Sequence, residues 1–73
     1  MKTIEITTDA KHGNIEGFID TDGNPINYNS PAVFKGEATP KIFESEDAAE
    51  QFLKEIFGDG LEGVRYHQIV EAK

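Results

Sequence analysis

A few residue groupings in this 73-residue chain have the types that chemistry needs, and each is answered by its context. Gly58-Asp59-Gly60-Leu61-Glu62-Gly63 has the spacing G-x-G-x-x-G of a dinucleotide fingerprint. That motif works where a strand enters it and a helix leaves it, because the helix N-terminus then meets the pyrophosphate. Here a helical apolar stripe precedes the motif and a β-type run follows it. Asp59 and Glu62 would also repel phosphate, so the segment reads as a helix stop and a loop. Asp20-Thr21-Asp22-Gly23-Asn24 resembles part of a calcium loop. With Gly23 as its sixth position, however, the first would be Phe18 and the twelfth Asn29, and neither is a carboxylate. Asp-Gly in this setting reads as a hairpin turn. His12 and His67 are the only histidines and lack a chelating spacing. Ser45 has no base near it in sequence and suits a helix N-cap. Paired acids can hydrolyse glycosides, but they need a cleft and a raised pKa, which the sequence does not supply. Without cysteine there is no thiol catalysis, disulfide or thiolate metal site. The expectation is a non-enzyme with no catalytic residue, no cofactor and no metal.

What the chain does carry is charge. Its formal net charge is −7. Residues 44–62 hold seven acids against Lys54, a net of −6, whereas residues 1–36 hold three lysines against five acids. Such a surface repels phosphate backbones, so direct nucleic-acid binding is not expected. A basic protein surface is the complementary partner, since opposite fields steer encounter. Plain solubility is the competing explanation of the same acids. The partner-binding candidates are Glu46, Asp47, Glu50, Glu55, Asp59 and Glu62. No run approaches the roughly 18 apolar residues of a membrane span, and the first ten residues lack a signal-peptide apolar region. A cytoplasmic protein with no membrane contact, monomeric or homodimeric, is the expectation.

These side chains must be positioned by a small scaffold. A chain of this length forms one domain, and one of about 60 residues buries only about 60% of its unfolded surface. Residues 2–8, KTIEITT, alternate with period two and read as a strand. Residues 15–20 read as a second, with Ile15 and Ile19 on one face and Gly17 at a point where bulk is not tolerated. Residues 26–44 predict one irregular strand or two short ones, with candidates at 32–35 and 41–44. Ser45 predicts the start of a helix over 46–57, with Glu46 and Asp47 suited to its first turn. Ala49, Phe52, Leu53, Ile56 and Phe57 form its apolar stripe, and Glu50 and Lys54 have the favourable i, i+4 order. Gly58 is placed to end it in a left-handed turn that Leu61 covers. Residues 63–72 read as a final strand. Val64, Tyr66 and Val70 share parity there, and Ile69 interrupts the alternation, by a bulge or because both faces are partly covered.

The predicted fold is α+β: a single domain over 1–73, with an antiparallel sheet of about four strands in the order β-β-β-α-β and the helix packed on one face. Its expected core is Ile4, Ile6, Ile15, Ile19, Ala49, Phe52, Leu53, Ile56, Val64 and Val70. Phe18, Phe34, Phe43, Tyr28 and Tyr66 exceed what that core needs, and either anchor a partner or seal the sheet's second face. No motif identifies a family. In size, acidity and lack of catalytic motifs the chain is similar in type to small anti-defence proteins of bacteriophages, including anti-CRISPR proteins. Two functional expectations follow. One is a binding protein whose acidic face blocks a basic, nucleic-acid-handling surface. The other is a structural or regulatory accessory domain, homodimeric through a sheet edge.

Overall fold

The computed structural model describes residues 1–72. Strand β1 spans Lys2–Thr8, β2 Glu16–Ile19, β3 Pro25–Asn27 and β4 Val64–Glu71; the helices are α1, Pro31–Phe34, and α2, Glu46–Phe57. The fold is α+β, with an antiparallel sheet in the order β3-β2-β1-β4. β1 is therefore central, and β3 and β4 are the two edges.

The period-two pattern of β1 decides the faces. Ile4, Ile6 and Thr8 point to one side and are buried, while Thr3, Glu5 and Thr7 point to the other. α2 covers the first side. Its Ala49, Leu53 and Phe57, spaced i, i+4, i+8, are buried there with Ile4, Ile6, Ile19 and Phe43. Each fully buried Ile or Leu contributes about 1.5–3 kcal/mol of transfer free energy. Ser45 starts α2 as its sequence position predicts, its Oγ accepting the Ala48 N–H at 3.2 Å.

β2 and β3 are joined by a turn that Asp20 organises. Its carboxylate accepts the N–H groups of Asp22 and Asn24 at 3.0 and 2.9 Å. Gly17, in the middle of β2, lies against the backbone of Ile26 and Asn27 with no room for a side chain.

Several features differ from the sequence reading. Val70 lies opposite Thr3 on the face away from the helix, whereas Ile69 lies opposite Ile4 and packs on the core. The cause is a bulge: Thr7 faces Tyr66 but Thr8 faces Val64, so Arg65 is the extra residue. Val64 reaches the core from beyond the bulge, which is why its parity misleads. Ile15 precedes β2 and is only half-buried outside the core. Ile56 is 41% exposed, because α2 turns the Ala49–Leu53–Phe57 line inward rather than the centre of its wider stripe. Residues 31–34 are helical rather than extended. Ser30 accepts the Ala32 N–H, and Pro31 occupies the first turn, where its fixed φ favours a helix.

Residues 40–44 form bridges rather than a strand. Lys2 and Phe43 exchange both backbone hydrogen bonds at 2.8 Å, and Lys41 N–H donates to the Ile19 carbonyl. This segment takes up the β1 positions that β2 vacates when it turns away at Asp20. Gly58 ends α2 at φ 86°, ψ 165°, a positive φ that favours glycine but lies outside the left-handed helical well, and Leu61 packs against the core.

Candidate interaction surface

Glu46, Asp47, Glu50, Glu55, Asp59 and Glu62 are all exposed. None of them joins an ion pair among the described residues. Glu50 and Lys54, although i, i+4, do not close into one.

The helix splits these acids into groups. Glu46, Glu50 and Lys54 form an i, i+4, i+8 line immediately beside the buried Ala49–Leu53–Phe57 line. Phe52 and Ile56 flank the buried line on its other side. Asp47 and Glu55 point farther out, and Asp59 and Glu62 continue past the end of the helix.

Two contacts fix which line overhangs which strand. Phe52 stacks near Phe43, with ring centroids 5.3 Å apart, and Lys41 Nζ sits 5.6 Å from the Phe52 ring. That side of α2 therefore looks toward β2. Glu50, Leu53 and Lys54 instead wall a shallow cleft of about 190 Å³, closed below by His67 of β4 and at one end by Leu61. The Glu46–Glu50–Lys54 line thus overhangs β4, the outer strand.

Among the described residues the outer edge of β4 is unpaired. In an antiparallel sheet the residues of a strand direct their N–H and C=O groups alternately to the two neighbours. The Ala72 N–H donates to Met1 C=O and the Asp9 N–H to Gly63 C=O, while the Thr8 N–H donates to Ile15 C=O. Odd-numbered residues of β1 therefore bond β4, through the pairs Thr3–Val70, Glu5–Gln68 and Thr7–Tyr66. The backbone groups of His67, Ile69 and Glu71 are left pointing outward. The opposite edge differs: β3 has three residues and begins with Pro25, which has no N–H.

At the end of β4, Lys2 Nζ donates to Glu71 at 2.8 Å. This bond raises the lysine's pKa and holds the Glu71 carboxyl below the usual range. At the other end His12 lies against Gly63, edge-on to Phe57 with centroids 5.4 Å apart, and its Nδ1 is 3.3 Å from the Asp9 carboxylate. The hydrogen bond from His12 lowers the Asp9 pKa.

The aromatic residues divide between the two roles left open by the sequence. Phe43 belongs to the core. Phe18 is buried on the second face of the sheet against Tyr28, centroids 6.0 Å apart, and burial together with Glu5 raises the Tyr28 pKa. Phe34 and Tyr66 stand 79% and 53% exposed. Thr3, Phe18, Tyr28, Pro40, Ile42 and Val70 line a largely apolar groove of about 390 Å³ on that face.

Among the described residues no group of three or more His, Asp or Glu side chains could hold a metal ion, and no helix is long and apolar enough to cross a membrane. Sequence reasoning found the acids by composition. It missed the free edge of β4, for which the signal was the uncharged run from Tyr66 to Val70. The chain matches no protein-family model, no curated protein and no solved structure.

Proposed function

We propose that this chain is a non-enzymatic, cytoplasmic binding module whose acidic face docks on a basic surface of a partner protein, one of the kind that handles nucleic acid, and blocks it. In size and acidity the chain is similar in type to small anti-defence inhibitors of mobile elements, and the proposed activity is of that kind. The observation that supports the reading is that six acids on α2 and its following loop are exposed and, among the described residues, without ion pairs. Acids already engaged with the chain's own cations would have to exchange partners, whereas these are available to arginine and lysine of another molecule. Each rim contact of this kind adds about 0.2–1 kcal/mol, and several together mainly raise the association rate. The unpaired edge of β4 favours a second reading, an accessory domain that homodimerises strand to strand. Salt separates the two. Capture of a basic partner by tagged protein should fall steeply between about 50 and 500 mM salt, as the Debye length shrinks. A salt-insensitive self-association would favour the accessory domain.

A further inference from the structure

The free edge of β4 and the acidic line of α2 lie side by side, and together they specify an occupant more closely than either does alone. Natural sheets usually blunt an edge with lysine, proline or brevity. β3 is short and starts with proline; β4 has eight residues, no proline and no charge between Arg65 and Glu71. The outward N–H and C=O groups of His67, Ile69 and Glu71 form a ladder ready for a further strand.

A strand added there would alternate its side chains between two different environments. Residues opposite Ile69 and Glu71 would rise on the helix side beside Glu46 and Glu50, and the residue opposite His67 would rise there between Glu50 and Lys54. Residues opposite Gln68 and Val70 would fall on the second face, next to Val70 and Tyr66, where apolar groups gain contact. We propose that β4 accepts an extended segment of a partner protein by strand addition, with Lys or Arg at alternate positions facing the Glu46–Glu50 line and apolar residues between them.

This rests on the acidic-face reading and deepens it by giving the docking its mode. A second copy of this chain fits less well. Antiparallel pairing of β4 with itself continues the sheet, places both α2 helices on one side and runs the two Glu46–Glu50–Lys54 lines in opposite directions, so that Glu46 comes opposite the copy's Lys54 and the lines themselves do not repel. It nevertheless brings together two chains that each carry a formal net charge of −7, and that repulsion opposes it.

The test uses the intact protein and two acetylated, amidated heptapeptides of equal composition. One alternates four lysines with three valines, and the other has the lysines and valines in separate blocks. Binding is followed by NMR titration and by amide hydrogen exchange. The expected result is saturable binding of the alternating peptide, with new protection at the His67, Ile69 and Glu71 amides. Replacing both exposed acids, Glu46→Lys with Glu50→Lys, should weaken it about tenfold, equivalent to roughly 1.4 kcal/mol. Absence of saturable binding overturns the proposal. Equal binding of both peptides without β4 protection overturns strand addition while leaving the acidic face standing. Binding with β4 protection that is indifferent to the double replacement overturns the acidic selection and the acidic-face reading with it. The same amides protected in concentrated protein without peptide would establish the homodimer instead.

Discussion

Gly17 passes so close to the carbonyl oxygen of Ile26 that no Cβ fits between β2 and β3. Gly17→Ala should therefore destabilise the fold by about 1–3 kcal/mol, the usual cost of overpacking. Urea denaturation read by circular dichroism measures this. A midpoint equal to that of the wild type would show that β3 moves aside freely and is not held to β2.

The orientation of α2 makes a second prediction. Leu53 is 1% exposed and Ile56 41%. Leu53→Ala should cost about 2–5 kcal/mol, a large share of the roughly 5 kcal/mol available to a small domain. Phe52→Ala should cost less than Leu53→Ala, and Ile56→Ala least of the three. Thermal melts of the three variants give the ranking. Equal losses at Leu53 and Ile56 would mean that the wider apolar stripe, rather than the single line, faces the sheet.

Acid stability tests the contact between Asp9 and His12. The folded-state pKa of Asp9 lies below its ordinary value of 3.8, chiefly through the hydrogen bond from His12. A lowered carboxylate pKa stabilises the fold above the ordinary value, and that contribution is lost as pH falls through the lowered one. Asp9→Asn should therefore be less stable than wild type near neutral pH, with the gap narrowing below about pH 4. Denaturant titrations at a series of pH values would reveal it. A gap that stays constant down to pH 2 would show that the bond does not discriminate between the protonation states of Asp9.

Much of this architecture is legible in the residues, and where it is not there is a physical reason. The span of β1, the Asp-Gly turn and the Ser45-capped α2 all follow from local pattern, because each is decided by neighbours within a few positions. Val70 and Ile69 exchanged faces because a bulge at Arg65 shifts parity, and a bulge depends on the partner strand, β1. The segment 40–44 bridges two strands far away in sequence, so its hydrogen bonds could not be inferred locally. The acids were visible as composition, but their division into a line over β4 and a group facing away from it required the rotation of α2. The free edge of β4 depended on strand order, which the sequence leaves open.

The acidic face itself is tested by two triple variants with the same change in charge. One replaces Glu46, Asp47 and Glu50 with lysine; the other replaces Glu16, Asp22 and Glu37, which are equally exposed but lie elsewhere. Both should fold, with a small loss in the first from the helix dipole. Tagged wild-type and variant proteins are used to capture partners from lysate, and the strongest basic partner is then titrated against each. The account predicts that the first triple weakens that partner tenfold or more, at least about 1.4 kcal/mol, while the second changes it far less. Equal weakening by both would reduce the effect to net charge, and unchanged affinity in the first would contradict the acidic face as the site of docking.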